Sequence, residues 1–373
     1  MARQGHGQSQ RGTVTGYMLK LIRESIPTTQ EQLATQLGVD RATVQSWESG
    51  RRPFTSVAFG QAIAIRHKLA RLGADAVFLA ALDDAAEADF ILAGILDTNV
   101  EKIDIADHSL GWSVLTHPLT DLVLWAAIGQ PPTLLKGIPS PSRRGPVPPG
   151  PTLEAGEQRE FFANLQVLAD RTNRRRDNEV LLHRQACFLA GMDPTGASVT
   201  WIGRTTSSST HRGTFHTWSP LWPDARSVAT SLAKQGDPEL LRDFIARAHP
   251  DDACERAGLN YWAYWVGEIP ERQRNDLFMT AEKATWRGTR LLRHLVDRLD
   301  PTHPFVDLNI HSLWALLTAR RGITHDDTAT SRTLLDRSTT LLDSGHISPQ
   351  SQRELTSVVY SLRTDGLSGT GAI

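Results

Sequence analysis

The chain has 373 residues, 40% of them hydrophobic and 22% charged, with a formal net charge of −1. That length suits two or three domains with real cores, and no apolar run approaches the roughly 18–20 residues needed to span a bilayer. Two cysteines, Cys187 and Cys254, give no disulfide framework, and the polar N-terminus lacks a signal peptide's apolar core, so a cytoplasmic protein is expected.

Residues 1–13 are rich in glycine, glutamine and serine, with Arg3, His6 and Arg11, and are expected to form a flexible basic arm. The periodicity then predicts a helix from about Thr15 to Glu24, burying Met18, Leu21 and Ile22. Thr28 or Thr29 can cap the next helix, each followed three residues later by Glu31 or Gln32 in capping-box spacing. Leu33 and Leu37 share one face beside the small Ala34, and Gly38 stops the helix. Val39 is the expected buried pivot and Asp40 the expected cap of a following helix, which Gly50 ends. Val44 and Trp47, three apart, turn that helix's apolar side toward Leu33 and Leu37.

With Val44 and Trp47 inward, Arg41, Ala42, Gln45 and Ser46 point outward on a short, polar, unbranched face. A helix lying in a major groove needs such a face: arginine bonds both acceptors of guanine, glutamine pairs with adenine, and the alanine methyl fits a thymine methyl. Arg51 and Arg52 follow at once, placed for phosphate rather than bases. An ordinary helical hairpin would explain the leucines, but not the caps, the two glycines and the basic exit together.

From about Tyr17 to about Leu72 these residues resemble the Xre/lambda-repressor-like helix-turn-helix family, over about a sixth of the chain. The resemblance implies a phosphate anchor at Gln30, base contacts from Arg41, Ala42 and Gln45 or Ser46, and a phosphate bond from Ser49. Thr43, Arg51 and Arg52 complete the expected phosphate set. Two positions depart from the family pattern: Trp47 stands where many members have a smaller apolar residue, and Pro27 lies in a turn where many have glycine.

Beyond this 14–73 domain, a helical connecting region is expected over 74–130, with an Ala/Leu/Asp-rich helix across 75–96. A second helix there should run from Trp112 to Ile128, with Leu115, Leu119, Leu122 and Trp125 on one buried face. This region could pack on the preceding domain or make a dimer contact. Residues 131–152 hold eight of the 20 prolines and predict a linker and domain boundary. Residues 153–365 then predict a helical regulatory or oligomerisation domain, by analogy tetratricopeptide-like, with no clean repeat signature. Its signals are Phe162, Leu165 and Leu168, then Leu291 to Leu299, Leu313 to Leu317, and leucine pairs at 334–335 and 341–342. Asp300-Pro301 and His303-Pro304 break it between helices, and the polar run from Gly203 to Gly213, within 197–223, predicts a long exposed loop.

The aromatic cluster of Tyr261, Trp262, Tyr264 and Trp265 fits core packing better than a ligand pocket. His249, Asp251, Asp252 and Cys254 fit turn and cap roles better than a metal site. His211 and His216 have no acidic residue near them in sequence, and Arg174 to Arg176 fit a solvated helix face better than a second DNA contact. No phosphate-binding loop, zincin motif or nucleophile elbow occurs, so neither an enzyme nor a cofactor or metal is expected.

The basic residues concentrate at one end. Residues 1–70 carry nine Lys/Arg and four Asp/Glu, a balance of +5, which leaves −6 for the remainder. The sequence thus predicts an all-α, sequence-specific transcriptional regulator binding double-stranded DNA as a homodimer. A small-molecule, peptide or protein effector would act at the helical C-terminal domain. A plasmid, phage or chromosome-end maintenance protein, or a helical interaction scaffold with incidental DNA binding, remain as alternatives.

Overall fold

The structure, a computed structural model, describes residues 12–97, 99–136, 150–172, 176–206, 217–248, 251–282 and 285–364. Their regular structure is entirely helical, as expected, and none of the helices is long and apolar enough to cross a membrane. The arm at 1–11, most of the proline-rich segment, Arg174, Arg175, His211, His216 and His249 lie outside the described residues.

Two compact units emerge. The first comprises Met1–Leu110 and His117–Leu168, the second Gly111–Thr116 and Ala169–Ile373. The expected linker at 131–152 therefore falls inside the first unit, and the chain passes between the units instead after Leu110, Thr116 and Leu168. Proline content is a local signal, whereas compactness depends on which distant helices share a core.

The first unit begins with α1 (Thr13–Ser25), α2 (Gln30–Leu37), α3 (Arg41–Glu48) and α4 (Phe59–Arg71). It continues with α5 (Ala76–Ile95), α6 (His117–Ile128) and α7 (Ala155–Asp170). Helix α1 starts at Thr13, so the expected arm loses its last residue to the helix. Val14, Met18 and Ile22, one apolar stripe four residues apart, are fully buried along it, while Leu21 is half-buried. Helix α5 packs against α1 and α6, so the connecting region joins the core of the DNA-binding end. Near the start of α6, Pro118 needs no backbone donor; Leu119, Leu122, Val123 and Trp125 are buried, and Tyr17 meets the Trp125 indole edge-on at 5.0 Å. The predicted start at Trp112 is corrected: residues 112–116 run outside any helix and belong to the second unit.

The second unit contains α8 (Asp177–Ala190), α9 (Val199–Thr206), α10 (Leu221–Lys234), α11 (Glu239–Arg247) and α12 (Asp252–Trp265). After these come α13 (Thr289–Asp297), α14 (Val306–Ala319), α15 (Thr328–Ser344) and α16 (Pro349–Thr364). Helix α14 is buried over almost its whole circumference and packs against α11, α12, α13 and α16. Its Asp307 ties three helices: one oxygen accepts from Arg242 at 3.0 Å, the other from the Ser348 N–H at 2.9 Å and the Ser351 hydroxyl at 2.7 Å. The exposed-loop expectation is corrected at both ends, because Gly203 to Thr206 complete α9 and α10 begins at Leu221.

The aromatic cluster on α12 is core. Tyr264 is fully buried and donates to the Val114 carbonyl at 2.6 Å, and the Trp262 indole N–H donates to Ser312 at 2.8 Å. Asp251 caps α12 by accepting from the Cys254 N–H at 2.9 Å. Arg176 is exposed and pairs with Glu179 at 3.1 Å.

Candidate nucleic-acid interface

Helices α2 and α3 and the turn that follows α3 carry every residue the sequence nominates. Of the two possible caps, Thr29 is the one used: its hydroxyl accepts from the Gln32 N–H at 3.2 Å, and the Gln32 side chain accepts from the Thr29 N–H at 2.9 Å. Gly38 adopts φ +74°, the left-handed conformation that ends α2, and the Val39 N–H returns to the Ala34 carbonyl at 3.0 Å. Val39 itself is only half-buried. Lys68 on α4 donates to the last carbonyl of α2, Leu37, at 3.3 Å, where the helix dipole favours a cation.

Helix α3 presents two contrasting sides. Val44 and Trp47 are 2% and 4% exposed, and together with Leu33, Ile65 and Leu69 they line one small, partly open pocket. The Trp47 ring meets Phe54 edge-on at 5.5 Å. Burying such side chains stabilises by about 2–3 kcal/mol each, enough to fix which side of α3 faces water. On the opposite side Arg41, Ala42 and Gln45 are exposed, and Ser46 and Thr43 are half-buried at its margins. Eight residues give a helix about 12 Å long, similar to the width of a major groove. Asp40 stands at the N-cap in extended backbone, but its carboxylate makes no capping bond, so the expected side-chain cap is replaced by backbone bonds alone. Its carbonyl accepts from Thr43 and Val44 at 2.9 and 3.3 Å.

Ser49, Arg51 and Arg52 are exposed at the exit of α3. The Arg52 N–H donates to the Ser46 carbonyl at 3.1 Å, Ser49 donates to the same carbonyl at 3.2 Å, and Arg51 reaches the Ser49 hydroxyl at 3.3 Å. This exit is an ordered turn, with Arg51 and Arg52 both exposed just past the end of the helix.

Gln30, the expected phosphate anchor, is half-buried and donates one amide hydrogen to Glu48 at 2.7 Å. Glu48 also takes a two-pronged pair from Arg23 at 2.6 and 3.1 Å. Its carboxylate, 6% exposed, thereby binds the end of α3 to the end of α1 and the start of α2. Burial alone would lower the Arg23 pKa, but the hydrogen bond and charge of Glu48 raise it above the ordinary value. Sequence reasoning missed this triangle, whose members lie 25 and 18 residues apart and carry no local signature.

Two further supports were also unforeseen. Gly16, in the first turn of α1, sits where a Cβ would lie 2.3 Å from the Trp47 carbonyl oxygen, so only glycine lets α1 approach the end of α3 so closely. A glycine inside a helical pattern was the available clue. Asp89, on α5, accepts from the Val14 and Thr15 N–H groups at 2.8 and 2.9 Å and so caps α1 from 75 residues away. Burial pushes its carboxyl up to about 6, against the opposing pull of those hydrogen bonds.

A helix-turn-helix family model matches residues 19–56, about a tenth of the chain. No curated protein and no solved structure matches the chain. The match covers α2, α3 and most of α1, the elements whose capping, turn and two-sided α3 were described above. At its N-terminus the chain therefore carries an Xre/lambda-repressor-like helix-turn-helix domain, a DNA-binding module that is not itself an enzyme.

Proposed function

We propose that the protein is a sequence-specific transcriptional regulator of the Xre type that reads the major groove with α3. The observation that carries this reading is the exposed trio Arg41, Ala42 and Gln45 on a helix whose other side is fixed by buried Val44 and Trp47. Arg41, Ala42, Gln45 and Ser46 contact base edges in this account. Gln30, through its second amide hydrogen, joins Thr43, Ser49, Arg51 and Arg52 on phosphates and sets the register.

One such domain covers only a few base pairs, so useful affinity calls for a homodimer on a two-fold operator with half-sites about one helical turn apart, or a multiple of it. The second unit is the candidate for regulation or oligomerisation, and the protein acts at the nucleoid in the cytoplasm.

Genome-wide recovery of DNA bound by the tagged full chain, with Arg41→Ala alongside, tests the reading. Promoter peaks sharing a two-fold motif and lost in the variant are expected. Diffuse, salt-sensitive binding indifferent to Arg41 would point to a scaffold, and peaks confined to replication or chromosome-end sequences to a maintenance protein.

A further inference from the structure

Helix α4 buries only Ile65 and Leu69 of its 13 residues. Its outer flank carries Phe59, 82% exposed, and Ile63, 41% exposed, one turn apart on the same line. Arg66 and Ala70 continue that line after three and four residues, the spacing of a seam that meets a second helix. Phe59 and Ile63 together leave roughly 200–300 Å² of apolar surface in water.

The charges beside the seam cancel. The Arg66 guanidinium turns aside to Asp83 on α5, at 2.7 and 3.0 Å, and to the Leu79 carbonyl at 3.3 Å. Its aliphatic stem is left in line with the apolar residues. Lys68 points the other way, to the Leu37 carbonyl of α2. Elsewhere this end of the chain is basic, with a balance of +5 over residues 1–70. A second copy is therefore repelled by most of this end and least by the α4 flank. Across a two-fold axis each copy offers one cation and one anion, so Arg66 of one answers Asp83 of the other, and the reverse. A partner of a single charge sign gains nothing from such a face.

We propose that this flank of α4 meets the same flank of a second copy, with Ile63 near the two-fold axis and Phe59 on either side of it. The inference rests on the homodimer of the functional reading and gives that dimer a surface. Two such patches bury roughly 500 Å², well below the roughly 1,200–2,000 Å² of a stable complex. The contact is therefore transient in dilute solution. It fills when two copies are held side by side, where the effective concentration is millimolar.

Disulfide trapping reads this contact without DNA, so its failure and the failure of the major-groove assignment are told apart. Cys187 and Cys254 are fully buried, so the purified full chain with Ile63→Cys carries one accessible thiol. Under a mild oxidant at high protein concentration, Ile63→Cys should form a covalent dimer about tenfold faster than Gln61→Cys, which is exposed on the other flank. Adding Phe59→Ser to Ile63→Cys should abolish that advantage, and adding Asp83→Lys should reduce it, most at low salt. The substituted side chains are all exposed, so the variants should keep their fold, which circular dichroism checks. Equal trapping of the two thiols, or trapping indifferent to Phe59→Ser or to Asp83→Lys, would overturn the proposal. So would an Ile63→Cys thiol that a maleimide fails to reach in dilute protein, because a segment of the same chain would then cover the flank.

Discussion

Arg41 and Arg52 are both exposed arginines within one short segment, yet their removal should fail in different ways. Arg41 projects from the first turn of α3, so Arg41→Ala should cost about 1–3 kcal/mol at one base position and relax specificity there. Arg52 lies past the helix, so Arg52→Ala should weaken binding to every sequence and flatten its salt dependence. Binding isotherms on operator and random DNA at several salt concentrations separate the two, and equal losses on both DNAs for both variants would refute the assigned roles. Behind this face, Glu48 answers Arg23 and Gln30 at once. Glu48→Ala should destabilise the first unit by about 3 kcal/mol, because a largely buried guanidinium loses its partner. Chemical unfolding checks that value, and a loss below about 1 kcal/mol would mean that water replaces the carboxylate freely. At this scale the sequence showed which residues face outward but not which are tied together. Arg41 and Gln45 follow from helical spacing alone, whereas the Arg23–Glu48–Gln30 triangle exists only once three helices have met.

Helices α2 and α3 were legible because their signals are dense and local: a capping box at Thr29, a glycine stop at Gly38, and apolar residues three or four apart. Helices α5 and α6 were legible as helices but not as partners. Their apolar residues surround the axis rather than marking one stripe, so periodicity could not say what each would touch. The polar run after Trp201 misled for a related reason, since composition suggested a loop where a helix continues to Thr206. Element contacts also make a sharp prediction at Gly16. A methyl there would stand 2.3 Å from the Trp47 carbonyl oxygen, so α1 and α3 must move apart to admit it. Gly16→Ala should therefore cost about 1–3 kcal/mol of stability and weaken DNA binding, although alanine is the better helix former. Calorimetry together with an operator titration measures both effects, and an unchanged or raised midpoint would show that the contact is slack.

At the scale of the molecule, the two units should respond to opposite ends of the pH range. In the first, Asp89 titrates near 6 when folded, against an ordinary value of 3.8, so between those values the folded state binds more protons than the unfolded one. Stability from this group therefore falls as pH rises through that window, by up to about 3 kcal/mol. In the second, burial alone would lower the His311 pKa, but the hydrogen bonds and charges of Glu255 and Glu354 push it up to about 9 from 6.5. Its contribution, again up to about 3 kcal/mol, is fully present below pH 6.5 and is lost as pH rises through 9. Urea unfolding across this range should show both slopes, with Asp89→Asn removing the acidic one and His311→Gln the alkaline one. If either slope survives its substitution, the assignment to that residue fails.

The bond from Asp89 to the first turn of α1 also decides where the DNA reader stops being separable. A fragment ending at Gly73 contains the whole helix-turn-helix, but it leaves two α1 N–H groups unanswered and the α1 surface that packs on α5 open to water. Such a fragment should be insoluble or partly melted, while one that keeps the first unit through Leu168 should fold. In evolutionary terms the reader could not be exchanged between proteins at its family boundary, because α5 would have to travel with it.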